Sequence, residues 1–299
     1  MKVIVTGSSG LIGSELVAEL TRQDHQVTRL VRRPPQAGEA EWDPAAGTIE
    51  AEKLEGHDAV VNLAGVGIGA HRWTDDHKRA VRDSRVKGTD LLARTLAGLS
   101  QPPKVLASGS AVGFYGYESE LPVTEATPRG AGFLADVVTE WEEATAPAAE
   151  AGIRVVVVRS GVVLTAKGGA LKKQLLPFKL GLGGRFGTGQ QWLSWVSLDA
   201  EVAAIIHLLA TDSVEGPVNV TSPEPVTNAE FTATLARTLK RPAVIPVPTL
   251  ALNALFGPQM TQEMLLGGQR VLPKALELSG FTFAHPRLED ALRHTLGRH

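Results

Sequence analysis

The chain has 299 residues, 43% of them hydrophobic, a formal net charge of -2 and no cysteine. That length carries a large core plus a smaller second lobe. The missing cysteines exclude disulfides, thiolate zinc sites and a cysteine nucleophile. A near-neutral charge without like-charge blocks gives no reason to expect a nucleic-acid or membrane-surface partner.

The start of the chain lacks the basic end, apolar run and cleavage site of a signal peptide, and no apolar stretch approaches the roughly 20 residues of a bilayer span. A cytoplasmic location is expected. Lys2–Thr6 reads as a buried strand, Leu11–Arg22 as a helix and Gln26–Val31 as a second strand. Residues 58–63, with the apolar centre Ala59-Val60-Val61, read as a third strand, and 75–96 carry helical spacing. Residues 104–108 and 154–158 are further strand candidates, separated by a helical stretch over 132–146 that ends near Pro147. Alanine-rich 144–151 is also read as helix. Strands alternating with helices predict right-handed crossovers and a parallel sheet. Further on, Thr227-Asn228-Ala229-Glu230 matches a capping box before a helix over 229–239. Pro242, Pro246, Pro248, Pro258 and Pro273 then punctuate short segments.

The strongest local signal is Gly7-Ser8-Ser9-Gly10-Leu11-Ile12-Gly13, which follows a strand and opens a helix. Gly7 permits a tight turn, Gly10 lets the backbone approach a pyrophosphate, and Gly13 lets the helix pack on the sheet. The helix start offers free N–H groups and a positive dipole end. This pattern predicts a dinucleotide site on a Rossmann-type, doubly wound α/β domain. Where NAD-binding units carry an acid after the second strand, this chain has Val31, followed by Arg32 and Arg33. Two guanidinium groups without the acid point to a 2′-phosphate and hence to NADP(H); two solvated arginines are the plainer alternative. Asn62-Leu63-Ala64-Gly65 supplies small residues at a strand end, a floor for the cofactor. The expected division is a dinucleotide-binding domain over 1–166, with about 195–222 returning to it. A substrate-side lobe with a largely helical end is expected over 167–299.

These residues resemble the extended short-chain dehydrogenase/reductases, the superfamily of sugar-nucleotide epimerases and dehydratases. The resemblance extends over nearly the whole chain to an atypical branch, the epimerase-like proteins of the bacterial YfcH type. It is carried by the glycine loop, by Asn62-Leu63-Ala64-Gly65 and by 108–116. Phe133-Leu134-Ala135 with Trp141-Glu142, Arg159-Ser160-Gly161, 176–184 and the stretch from Thr227 through Pro273 continue it. It implies cofactor contacts at Gly7, Gly10, Leu11, Ile12, Arg32, Leu63, Ala64 and Arg85. Thr6, Gly13, Arg33, Gly65, Ser108 and Arg159 complete the expected cofactor set. Arg85 lies in a run with Lys78, Arg79, Arg82 and Lys87, a pattern equally suited to a solvated helix face.

The superfamily's proton-transferring Tyr-x-x-x-Lys pair is missing: Phe133 and Val137 stand at its spacing, and neither can transfer a proton. Ser110 corresponds to the superfamily's active-site serine, and Tyr115 is the nearest phenol; both are candidate catalytic residues. A turn-capping serine and a core aromatic are the alternatives. Asp136, Glu140 and Glu142 are expected on the surface of an amphipathic helix. The glycine-rich stretch 181–189 is expected as a lid or plain turn, with phosphate binding through Arg185 as the alternative, and Trp192 and Trp195 as packing aromatics, with stacking on a sugar or base as the alternative. The eight histidines show no ligand spacing, so no metal is expected. The resulting expectation is an NADP(H)-binding oxidoreductase or epimerase-like enzyme acting on a small carbonyl or hydroxyl compound, with a nucleotide sugar as one candidate. A non-catalytic NADPH-binding sensor is the alternative. The sequence leaves a homo-oligomer open.

Overall fold

Apolar runs of four to seven residues form strands here because helices cover both faces of a parallel sheet. In the computed structural model, which describes residues 1–298, β1 (Lys2–Thr6) leads into α1 (Leu11–Arg22), β2 (Gln26–Val31), β3 (Glu39–Asp43) and β4 (Thr48–Ile49). β5 (Ala59–Asn62), α2 (Asp75–Ala97), β6 (Val105–Ala111) and β7 (Glu118–Val123) follow. Next come α3 (Phe133–Glu143), α4 (Ala146–Glu150), β8 (Arg154–Ser160), β9 (Val162–Leu164) and α5 (Gly169–Lys179). Then follow β10 (Trp192–Leu193), β11 (Trp195–Ser197), α6 (Leu198–Ala210), β12 (Gly216–Val220) and β13 (Val226–Thr227). The last elements are α7 (Asn228–Leu239), α8 (Thr249–Phe256), α9 (Pro258–Thr261), β14 (Gly268–Val271), α10 (Lys274–Leu278) and α11 (Leu288–Thr295).

Eight strands form one sheet in the order β12-β8-β6-β5-β1-β2-β3-β4. Every pairing is parallel except that of β4 with β3. The chain runs outward from β1 through β2 and β3, then returns to the other side of β1 as β5. That reversal opens a crevice beyond the carboxyl ends of β1 and β5, the place where such sheets take ligands. Successive residues of β1 point to opposite faces. Val3 and Val5 join Leu16, Leu20, Ile205 and Leu208 of α1 and α6, whereas Ile4 joins Leu92 and Leu96 of α2 and Ala148 of α4. The second lobe has its own core, with Leu171 and Phe178 of α5 against Phe231 and Leu235 of α7 and Leu292 of α11.

The expected elements of the first half are present, with displaced ends. β6 extends to Ala111 and β8 to Ser160, beyond their apolar centres. The helix expected over 144–151 is reduced to α4, with Pro147 in its first turn. Thr227 caps α7 through the capping box: its hydroxyl accepts from Glu230 N, and the Glu230 carboxylate accepts from Thr227 N. β3 and β4 are not among the expected strands, and neither is the parallel pairing of β14 with β7, which joins residues 268–271 to 118–123.

Candidate functional site

The turn after β1 is built for close approach. Gly7 has φ of +62°, and a Cβ there would lie 2.6 Å from Leu63 O; a Cβ on Gly13 would lie 2.2 Å from Gly7 O. Glycine at both positions lets the turn, α1 and the β5 end pack backbone to backbone. α1 starts after Gly10 without a side-chain cap, so its first N–H groups and dipole face the crevice. Leu11 packs against Gly168, and Ile12 packs on the core beneath. The resulting cleft has a volume of about 730 Å³. Its walls are the glycine turn, Arg32 and Arg33 after β2, Leu63, Ala64 and Gly65 after β5, and Trp42 and Pro44.

The two arginines differ. Arg33 forms a two-pronged pair with Glu39, with both nitrogen–oxygen distances 2.8 Å, and Arg29 reaches the same carboxylate at 3.0 Å. Arg32 is exposed and makes no ion pair among the described residues, so its guanidinium remains available to a ligand. Thr6 and Ser108 are buried under the cleft floor. The Thr6 hydroxyl donates to Asn62 Oδ1 (2.7 Å) and accepts from Leu63 N and Ala64 N, which fixes the β5 turn. Asn62 continues the ladder to Thr89 and Ser108.

Arg85 is 9% exposed and sits behind Gly65, with its guanidinium over Trp141. Its Nη1 donates to Val66 O and Val81 O, and its Nε has no partner among the described residues. Burial without a carboxylate pulls its pKa down to about 10. The other cations of α2 that flank it are paired on the surface: Lys78 with Asp75, Arg82 with Glu140 and Lys87 with Asp83.

At the end of β6 the polar groups engage one another. Ser110 Oγ donates to Glu142 Oε1 at 2.5 Å. Arg159 donates from Nε to Glu142 Oε1 (2.8 Å) and from Nη2 to Oε2 (2.7 Å), and it stacks on Phe114 at 3.5 Å. Its Nη1 donates to the Tyr115 hydroxyl (3.0 Å), which in turn donates to Asn219 Oδ1 (2.7 Å). Burial raises the Tyr115 pKa, and the Arg159 cation opposes that rise. For Arg159 burial disfavours the charge, but the Glu142 carboxylate outweighs it and the pKa is raised. Ser110, Tyr115 and Arg159 are thus brought together by Glu142, a residue that helical periodicity had placed on the surface. Asp136 and Glu140 do lie outward, paired with Arg129 and Arg82. Val137 is buried, and the α3 start is capped by Glu263 of the second lobe, which accepts from Phe133 N and Leu134 N. The 181–189 stretch packs on 245–247, and Trp195 is fully buried in the second core.

Glu39 and Trp42 were missed as cleft residues. The only available signal was the alternation of Ala40 and Trp42 with Glu41 and Asp43.

The pattern of the NAD dependent epimerase/dehydratase family matches residues 3–221, and a domain of unknown function, DUF1731, matches 247–295. The chain is 44% identical over 297 residues to the epimerase family protein Mb2239 of Mycobacterium bovis, covering 99% of this chain and 98% of that protein. The crystal structure of the human epimerase family protein SDR39U1 (isoform 2) with NADPH superposes with a TM-score of 0.92 at 37% identity, covering 99% of each chain. The UDP-glucuronic acid 4-epimerase of Bacillus cereus, in complex with UDP-glucuronic acid and NAD, shares the fold. Its TM-score is 0.77 at 17% identity, over 98% of this chain and 97% of that one. Glycine turn, sheet order and full-length likeness agree: the chain belongs to the NAD dependent epimerase/dehydratase family.

Proposed function

We propose that the chain binds NADP(H) in the cleft at the β1–β5 reversal and acts as an oxidoreductase or epimerase-like enzyme on a small carbonyl or hydroxyl compound. A nucleotide sugar, which the Bacillus cereus epimerase of the same fold takes, is one candidate class. The observation that carries the reading is the pairing of an uncapped α1 start with Arg32, which has no ion pair among the described residues, at the other end of the same cleft. The residues fit the cofactor. The α1 N–H groups would hold the pyrophosphate, Arg32 the 2′-phosphate, and Leu63 to Gly65 the underside. Arg85 adds a buried positive charge behind Gly65. When bound, the nicotinamide supplies hydride exchange.

Ser110 is the polar group on β6 positioned to orient a reacting oxygen, and its proton is held on Glu142. Calorimetric titration tests the cofactor assignment. NADPH should bind about tenfold more tightly than NADH through a charge-assisted hydrogen bond at exposed Arg32; equal affinities would overturn it. A screen of nucleotide sugars and small carbonyls for NADPH oxidation, repeated with Ser110→Ala and Tyr115→Phe, tests the site.

One observation favours a second reading, a sensor of NADPH without turnover. Tyr115, Arg159, Glu142 and Ser110 satisfy one another, so none of these four groups is free to donate a proton while the network holds. Absence of turnover across the screen, with NADPH-dependent protease resistance, would select it.

A further inference from the structure

The second lobe carries an apolar face that cofactor binding does not use. Leu176 stands on the outer side of α5, Leu180 and Leu182 lie in the turn after it, Val244 and Ile245 in the segment that enters α8, and Leu250 in the first turn of α8. All six are between 64% and 84% exposed. The backbone brings them side by side: Arg241 Nε donates to Lys179 O (3.0 Å) and Val247 N to Arg185 O (2.8 Å), and Phe186 bridges Val247. α8 contains no charged residue at all.

Charge is segregated along the segments that carry this face. Residues 161–198 contain five cations and no carboxylate, and 231–262 contain three and none. Of these eight, Lys167 and Arg237 reach carboxylates elsewhere. Lys172, Lys173, Lys179, Arg185, Lys240 and Arg241 have no ion pair among the described residues. The cations of α2 contrast with them: Lys78, Arg79, Lys87 and Arg94 each face an acid on the same helix. The net charge of -2 averages over this segregation and so conceals it.

Single exposed leucines are ordinary; a contiguous group is not. A second copy seated on this face by two-fold symmetry would bring the uncompensated cations together. Leucines flanked by unpaired lysines and arginines suit an anionic interface instead. We propose that this face docks on the surface of an anionic lipid bilayer, with the leucines at the acyl boundary and the cations over the phosphates. α5 also reaches the loop after β5: Lys173 Nζ donates to Gly69 O at 2.7 Å.

The test is sedimentation of the full chain with phosphatidylcholine vesicles, with and without phosphatidylglycerol. The chain should partition onto the phosphatidylglycerol vesicles and release as salt rises. Lys179→Glu with Arg241→Glu should lower the partition coefficient at least about twentyfold, from roughly fivefold per lost cation. Ile245→Asp with Leu250→Asp should lower it at least about tenfold. Arg79→Glu with Arg94→Glu, on the paired face, should leave it unchanged, and circular dichroism verifies that each variant is folded. Failure to sediment with phosphatidylglycerol vesicles overturns the proposal, as does equal binding by all variants. A dimer in solution that Ile245→Asp dissociates also overturns it and assigns the face to a second copy.

Discussion

The two ends of the sheet's carboxyl edge treat their polar groups in opposite ways. At the β1–β5 end, donors are left without partners among the described residues: α1 has no side-chain cap, and Arg32 has no ion pair. At the β6–β8 end, Ser110, Glu142, Arg159, Tyr115 and Asn219 form one closed chain of hydrogen bonds. Buried polar groups must be paired, so unmet donors beside a cleft mark a place prepared for a ligand, and a closed network marks a place prepared for rigidity. The cofactor end is therefore readable as binding machinery. At the other end, only a group that can leave the network can do chemistry.

The largest expected effect breaks the closed end. Glu142→Ala leaves the buried Arg159 guanidinium without its carboxylate, which should cost about 3–5 kcal/mol of stability in urea unfolding. NADPH affinity should persist in the folded fraction. A cost below about 1 kcal/mol would mean that water already screens the pair.

Next in size is Glu201, in the first turn of α6. It is fully buried, accepts from Ser160 Oγ, and leaves its Oε2 without a partner among the described residues. Burial raises its pKa to about 7 from the usual 4.5, and the Ser160 hydrogen bond works weakly against that. The folded state therefore holds its proton more tightly than the unfolded state. Stability is highest below about pH 4.5 on this account, falls between pH 4.5 and 7, and levels off at a loss of about 3 kcal/mol. Unfolding curves of Glu201→Gln should lack this slope; an unchanged slope would locate the titrating group elsewhere.

At the open end, Gly10→Val should lower NADPH affinity at least about a hundredfold, or ~2.7 kcal/mol, while the fold survives. A Cβ at Gly10 meets only Gly7 O, at 3.1 Å, so the added branches project into the cleft. Retained affinity in a folded variant would refute the binding mode. The smallest effect sharpens cofactor choice. Arg32→Ala should lose about tenfold in NADPH affinity and nothing in NADH affinity, by calorimetry. Arg33→Ala should instead loosen Glu39, so the two variants separate a ligand contact from a wall contact.

The open end was legible in the sequence because its signals are local. Strand, glycine spacing and helix occupy Lys2 to Arg22 without interruption, and the Val31-Arg32 replacement of the acid lies at the end of the next strand. Glycine and serine at the end of β6 and serine at the end of β8 carry no apolar signal, so both strands read too short. The closed end was not legible because it is made of residues far apart. Glu142 on α3 meets Ser110, 32 positions earlier, and Tyr115 meets Asn219, 104 positions later. Helical periodicity alone put Glu142 outside, because it cannot see that β6 and β8 present a serine and an arginine to that face. Glu39 escaped for a related reason: an acid in a short alternating run looks solvated until Arg29 and Arg33 are brought to it.

The parallel pairing of β14 with β7 has a consequence for synthesis on the ribosome. Val123 emerges long before Val271, its partner in the register. At roughly 5–20 residues per second, the edge of β7 waits about 7–30 s for that partner. During this interval it presents unpaired N–H and C=O groups, the kind of edge that invites wrong pairing between neighbouring nascent chains. Ribosome-bound chains stalled before β14 should therefore be cut by protease near 118–123, and chains released after β14 should resist. Equal resistance of both would mean that another segment shelters the edge until β14 arrives.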